Sequence, residues 1–235
     1  MAKAIEITDL HAWYGESKAL HGINLYVQPG EVVSLLGRNG AGRTTTLRAL
    51  LGLVSARQGA INIHGQETLH LPTYQIARLG IGLSPEERGI FSGLSCEENL
   101  MLAPQVGSRM EGMPLADIYQ MFPNLYERRH APGTKMSGGE QQMLAIARIL
   151  RTGADILLLD EISEGLAPVI VDKLAEVITE LKKRNYTIVM VEQNFHFAAP
   201  LADRFYVIEQ GLVAHHLHAN ELEEQKETLD TLLGV

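Results

Sequence analysis

Cysteine is almost missing from this chain. Among 235 residues only Cys96 carries a thiol, so no disulfide can close within the chain, and the composition suits a reducing compartment. Long apolar runs are missing too. None approaches the roughly 20 residues that a membrane helix needs, so if the protein serves a membrane, other subunits do the spanning. The amino terminus, MAKAIEITDL, has no apolar signal-peptide core. Net positive charge is absent: 20 Lys and Arg against 28 Asp and Glu leave a formal −8, which argues against a broad nucleic-acid surface. There is no internal repeat and no low-complexity linker. What is there is 46% hydrophobic residues, enough for a sizeable core in one large domain or two small ones.

The first sixty-odd residues read mostly as strands. AIEITDLHAWYG alternates and ends at a glycine. INLYVQPGEVVSLLG reads as two strands joined at Pro29-Gly30, and the second, Glu31 to Leu36, is apolar enough to be central. A helix is predicted from Arg43 to about Leu53, with Leu47, Leu50 and Leu51 on one face. GAINIHGQ is a short strand, and Pro72 opens a helix through Ala77. LGIGLSPEE leaves the core as a strand and enters a loop. From Ser95 to about Thr134 the pattern is helical, broken by Pro104, Gly107, Gly112, Pro114 and Pro123; this predicts a helical subdomain within approximately residues 87–150.

Alternation then resumes. ADILLLDE is a buried strand, APVIVDKLAEVITELKKR a helix and TIVMVEQ another buried strand. ADRFYVIEQGLVAHHLH is a hairpin turning at Gln210-Gly211. The tail NELEEQKETLD is polar with helical spacing and reads as a solvated segment. The sum is an α/β fold over residues 1–235: a mainly parallel sheet, an antiparallel β flank and a helical subdomain inserted between strands.

Three stretches carry chemistry. The first is GRNGAGRTTT, Gly37 to Thr46, lying between a predicted strand and a predicted helix. That context is what the phosphate-loop pattern G-x-x-x-x-G-K-[ST] requires. Gly37, Gly40 and Gly42 allow tight bends and close approach of phosphate. Successive N–H groups and the helix N-terminus make an anion nest. Thr44 offers a hydroxyl to Mg²⁺, and Thr45 an extra phosphate contact. Arg43 stands where the pattern has lysine. It keeps the charge but not the shape, being planar and longer than an ammonium. Loss of one well-placed transition-state donor costs about 10²–10³ in rate, and a displaced donor costs that or less. Read alone, the stretch is either a phosphate cradle or a glycine-rich turn that binds nothing.

The second is ILLLDE, Ile156 to Glu161. An acidic residue ending an apolar strand is costly in a core. A magnesium ion held by Asp160 accounts for it, with Glu161 as general base toward water; a solvated acidic turn is the plain alternative. The third is KMSGGEQQMLAIARIL. Ser137 is a good N-cap, and Gly138 and Gly139 leave the first turn's N–H groups uncovered for an anion at a cost in helix stability. Met143, Leu144, Ala147 and Leu150 face inward.

GRNGAGRTT, MSGGEQQ and LLLDE, in this order and spacing, resemble the ATP-binding subunit of an ABC transporter over essentially the whole chain. The resemblance implies a mainly parallel sheet of the P-loop NTPase type, and ATP and Mg²⁺ as ligands. ATP would be bound by the loop Gly37, Asn39, Gly40, Ala41, Gly42, Arg43, Thr44 and Thr45, with Tyr14 stacking on adenine. The signature Ser137, Gly138, Gly139 and Glu140 of a second subunit would close over the γ-phosphate. SPEERGIF matches the loop that senses γ-phosphate and contacts the membrane partner, with Glu86 where Gln is usual. SEGLAP, Ser163 to Pro168, matches the loop crossing between subunits. VMVEQN matches the switch strand, with Gln193 where His is usual; the nearby His196 reads as a surface residue.

Catalysis would then fall to Glu161, Gln193 and Glu86, and the metal to Thr44, Asp160 and Glu86. The segments around Glu86 and Gln193, with GLAP, are similar to ATPases of branched-chain amino-acid importers, where Glu and Gln look ordinary at these places. Arg43 does not. The implied partners are a second ATPase subunit, identical or a sister chain, two transmembrane permease subunits and, indirectly, an external solute-binding protein, at the cytoplasmic face of the inner membrane and without nucleic acid. Two other readings compete. A catalytically damped or silent subunit rests on Arg43. A non-transport ABC protein lacks support, because the long coiled-coil insertions and doubled nucleotide domains of those groups are missing here.

Overall fold

The computed structural model describes residues 3–104 and 111–233. Gly107, one of the expected helix breakers, lies outside them. β1 (Ile5–Tyr14) and β2 (Ser17–Val27) form an antiparallel hairpin, with Tyr14 opposite Ser17 across a turn containing Gly15. β2 begins six residues before the Ile23 that the apolar pattern marks. Its first half pairs with β1 but alternates with solvent on one face, so an apolar run is a poor guide to where it starts. β4 (Ala56–Ile63) pairs with β1 on the other side and with the short β5 (Gln66–Glu67), giving one sheet in the order β2-β1-β4-β5.

The second sheet holds β3 (Val32–Leu36), β6 (Ile81–Ser84), β7 (Ile156–Asp160), β8 (Thr187–Val191), β9 (Arg204–Glu209) and β10 (Leu212–His218), in the order β10-β9-β3-β8-β7-β6. Every pairing is parallel except the β9–β10 hairpin. All residues of β3, β7 and β8 are buried, as expected for parallel strands covered on both faces. β3 shows the covering directly. Val33 and Leu35 join Leu20, Ile23, Leu47 and Leu50 in one apolar cluster, while Val32 and Leu36 join Leu144, Leu157 and Ile188 in the other. This is the two-residue period of a strand dividing its side chains between two cores.

α1 (Arg43–Leu50) follows the glycine loop after β3. It ends three residues earlier than predicted, because the chain reverses at Gly52 (φ 71°) and the Leu53 N–H bonds the Arg48 carbonyl at 2.8 Å. α2 (Thr73–Ala77) starts directly after Pro72. The middle of the chain carries α3 (Cys96–Met101), α4 (Leu115–Met121), α5 (Pro123–Glu127) and α6 (Gly138–Thr152). Pro123 both separates α4 from α5 and occupies the first turn of α5. Leu100, Ile118, Phe122 and Leu125 pack in the same cluster as Met143, Leu144 and Leu157, so α6 ties this helical region to the sheet. α7 (Pro168–Lys183) and α8 (Phe195–Ala198) follow β7 and β8.

The tail departs from expectation. α9 (Lys226–Leu233) is not merely solvated: Leu229 is 2% exposed within the core cluster, and Leu232 and Leu233 pack against it. These three leucines lie at i, i+3 and i+4 on one helix face. The polar window stops at Asp230, short of the last two, so the face is not visible in it. Leu229→Ala is expected to cost about 2–4 kcal/mol in urea unfolding. A value within about 0.5 kcal/mol of the wild type would show that the tail is solvated after all.

Candidate functional site

A cavity of about 610 Å³ opens beside the loop that follows β3. Parallel strands β3, β6, β7 and β8 send their carboxyl ends to this side, where ligands of open α/β sheets bind. Asn39, Gly40, Ala41, Gly42, Arg43, Thr44 and Thr45 line it, with Glu86 after β6, Glu161 after β7 and Gln193 after β8. Lys18 and His21 of β2 and Gln210-Gly211 of the β9–β10 turn complete the wall.

The glycines of the loop do different jobs. A Cβ on Gly37 would meet the Ile208 carbonyl at 2.2 Å, so the packing of β9 by itself requires a glycine here. Gly37 does not line the cavity. A Cβ on Gly40 (φ 77°) would meet nothing within 4 Å, so this glycine is the one that faces open space. α1 then begins with no side-chain cap and no acidic residue in its first turn, which leaves its N–H groups for an anion.

Four side chains meet at the far end. The Arg43 Nη2 donates to Glu161 Oε1 at 2.9 Å and to Asn39 Oδ1 at 3.2 Å. The ion pair is well shielded, at 4% and 10% side-chain exposure. The Arg43 Nη1 is buried and has no hydrogen-bond partner among the described residues. Gln193 Nε2 donates to the other oxygen of Glu161, Oε2, at 3.1 Å. Glu161 itself has a left-handed backbone, φ 49°, an unusual conformation for a non-glycine residue and one that clusters at functional sites. Glu86, Glu161 and Glu164 each place a carboxylate oxygen within 4.8 Å of the others. Burial raises the Glu161 pKa, a hydrogen bond with Glu164 raises it further, and Arg43 opposes both. Burial draws Arg43 below its usual value against the pull of Glu161.

Below this, Thr44 Oγ1 donates to Asp160 Oδ1 at 2.9 Å. Burial pushes Asp160 up to about 6, against that hydrogen bond. The pair fits Mg²⁺: adjacent oxygens around an octahedral ion with 2.0–2.1 Å bonds stand about 3 Å apart. Glu86 stands with the Glu161 and Glu164 carboxylates, near enough to Asp160 for its charge to act there.

Several expected residues stand elsewhere. Tyr14, 39% exposed at the end of β1, does not line the cavity. Neither do Ser137, Gly138, Gly139 and Glu140. Ser137 and Glu140 are engaged in a capping box on α6. Gly139 has a packing reason beside the anion reading, since its Cβ would fall 2.6 Å from Ile170 Cγ2 on α7. His196 is exposed and away from the cavity, as expected.

One buried acid escapes the sequence pattern. Glu192, 1% exposed at the end of β8, accepts from the Ser163 hydroxyl at 2.6 Å and from the Ser163 N–H at 3.2 Å. The signal is present, because VMVEQN is another apolar strand ending in an acid, the same pattern that singles out Asp160.

The model of the ABC transporter family matches residues 20–164, more than half of the chain. The chain belongs to the ABC transporter family. Within it, the high-affinity branched-chain amino acid transport ATP-binding protein BraG of Pseudomonas aeruginosa is 41% identical over 223 residues, covering 94% of this chain and 96% of that protein. The lipopolysaccharide export system ATP-binding protein LptB of Haemophilus influenzae is 33% identical, covering 85% and 84%. A dimeric ATP-binding cassette in a post-hydrolysis state, bound to ADP and phosphate, superposes with a TM-score of 0.80 at 23% identity over 92% of this chain and 98% of that one. The chain is thus an ABC ATP-binding subunit with the α/β cassette fold, more similar to BraG than to LptB.

Glu192 supplies a pH test of this cassette. Burial raises its carboxyl from an ordinary 4.5 to about 7, against the Ser163 hydrogen bonds. The folded state therefore holds a proton between those values that the unfolded state has lost. The associated stability is complete below about 4.5 and gone above about 7. Glu192→Gln mimics the protonated form. Its stability is expected to match the wild type near pH 5 and to exceed it increasingly toward pH 8, by no more than about 3 kcal/mol in urea unfolding. A difference independent of pH would count against a buried, ionising Glu192.

Proposed function

We propose that the chain is the ATP-hydrolysing subunit of an ABC importer for branched-chain amino acids. The observation that carries this reading is the Glu161 carboxylate at the inner end of the cavity, contacted by Arg43 and Gln193 and set beside the Thr44–Asp160 pair. ATP enters with its phosphates over Gly40 and the uncapped start of α1. Its γ-phosphate reaches the Arg43–Glu161–Gln193 end. Thr44 and Asp160 would hold Mg²⁺, which when bound would supply positive charge against the phosphates. Glu161 accepts a proton from water as the water oxygen bonds to the γ-phosphorus and the bond to the β–γ bridging oxygen breaks, giving ADP and phosphate. A carboxylate whose proton affinity is raised by burial is a better base for this step than a solvated one. Glu86, close to Glu161, faces the same end.

A second ATPase subunit, a copy or a sister chain, completes the site. The signature Ser137–Gly139 does not reach the cavity of its own chain, so it is available to a partner's γ-phosphate, and the dimeric cassette with ADP and phosphate supports that assembly. Adenine would meet Tyr14 in the closed form. No helix among the described residues is long and apolar enough to cross a membrane, so attachment to the cytoplasmic face of the inner membrane runs through two permease subunits, and cargo is delivered by an external binding protein. Acidic net charge disfavours nucleic acid as partner. The cargo rests on the likeness to BraG; the likeness to LptB shows that similar chains serve other transporters. The engaged Arg43–Glu161 pair favours one alternative, a catalytically damped subunit beside an active sister.

Phosphate release by wild type, Arg43→Lys and Glu161→Gln separates these. The wild type is expected to exceed Glu161→Gln by about 10²–10⁴-fold, with Arg43→Lys near the wild type. Three equal rates would sink the ATPase reading. A large rise in Arg43→Lys alone would establish the damped subunit.

A further inference from the structure

The arginine that replaces the usual lysine does more than supply charge. Its guanidinium is spent on Glu161: Nη2 lies 2.9 Å from Oε1 in a pair with 4% and 10% side-chain exposure. The second oxygen of Glu161 accepts from Gln193. Each oxygen of the candidate general base therefore already accepts a hydrogen bond, one of them from a charged guanidinium. Arg43 thus pairs with one member, Glu161, of a cluster of three carboxylates that also holds Glu86 and Glu164. A lysine offers a single point of charge. The arginine fork is planar and two-headed, and here one head is committed while the other, Nη1, is buried with no acceptor among the described residues.

We propose that Arg43 is a two-position residue that makes this site respond to the third phosphate. Without a γ-phosphate it stays on Glu161 and keeps that carboxylate out of the reaction. A γ-phosphate, arriving at the end of the cavity marked by Glu161, Gln193 and Glu86, competes for the same guanidinium and releases Glu161 toward water. A diphosphate stops short of this end and leaves the pair intact. The inference rests on the reading of the cavity as a nucleotide site. It assigns to Arg43 a discrimination between ATP and ADP that a lysine at this position would make only weakly. The exchange is between two strong, poorly screened partners, so it is set by which anion is present and not by small differences in reach.

A double-mutant cycle reads the exchange directly, because coupling in a binding free energy measures how much the Arg43–Glu161 interaction changes on binding. The four proteins are the full-length wild type, Glu161→Gln, Arg43→Gln and the double variant. Isothermal titration calorimetry gives their affinities for the magnesium complexes of a non-hydrolysable ATP analogue and of ADP. The expected result with the analogue is that Glu161→Gln tightens binding about ten-fold more when Arg43 is present than when Gln replaces it. With ADP the effect of Glu161→Gln is expected to be the same in both backgrounds within about two-fold. Equal effects with the analogue would mean that the pair survives nucleotide binding, and would overturn the proposal. Equal coupling with analogue and ADP would overturn the selectivity for the third phosphate. Should Arg43→Gln fail to fold, Arg43→Met, of similar reach and no charge, takes its place. Absence of any binding by the wild type would instead bring down the nucleotide-site reading itself, which keeps the two failures apart.

Discussion

The whole site depends on one constraint, the burial of β3 on both faces between β8 and β9. Its odd and even residues feed different cores, so a one-residue slip would exchange Val33 and Leu35 with Val32 and Leu36. The same register puts Gly37 against the Ile208 carbonyl with no room for a side chain. The loop therefore leaves the strand at a point set by packing with β9. Everything that follows, from the open turn at Gly40 to the uncapped start of α1, inherits its position from a strand that never touches ligand. The anion-binding end is precise because the apolar end is crowded.

From this anchor the strand ends are stitched to one another by a repeated device. β7 ends in Asp160, which accepts the hydroxyl of Thr44 in the first turn after the β3 loop. β8 continues into Glu192, which accepts the hydroxyl and the N–H of Ser163 in the loop after β7. Each acid is buried at the end of an apolar strand, each is raised by desolvation, and each is offset by a hydroxyl from the segment that follows another strand of the sheet. The chain of contacts runs β8 to β7 to β3, so the three loops that meet the cavity are positioned relative to one another as well as to the sheet. Buried carboxylates without a cation destabilise the fold. Their retention here is accounted for by the loops they hold: one is the candidate metal loop, the other begins the segment that would cross to a second subunit.

What can be read from the sequence follows the same physics. β7 and β8 are legible because burial on both faces makes a strand uniformly apolar, and the turns at Pro29-Gly30 and Gln210-Gly211 are legible because their residues carry local conformational preferences. The first half of β2 is not, since its residues look polar and its strand character comes from pairing with β1. The docking of α9 is not, because its apolar face is completed only by Leu232 and Leu233. The glycines are visible, but their reasons are only partly so: Gly37 and Gly139 answer to Ile208 and Ile170, residues far away in the chain. Glu192 obeys the rule that marks Asp160, yet its neighbour Gln193 carries the family pattern and masks it. Local chemistry is written locally; packing partners are not.

Arg43 is the sharpest case of that limit. From the sequence it is a substitution of one cation for another, and its meaning depends on a carboxylate 118 positions later. Once folded, the pair is nearly dry, so neither charge can be removed cheaply, and breaking it without replacement leaves a buried charge uncompensated. That makes the pair a poor source of net stability but a good two-state element. It yields only to another anion able to take the guanidinium, and Arg43 lines the cavity that would admit one. A lysine would occupy the same slot with a strongly hydrated point charge and no second head. Under the proposed exchange, the departure from the family pattern is first a change in how Glu161 is held, and only secondarily a change toward phosphate.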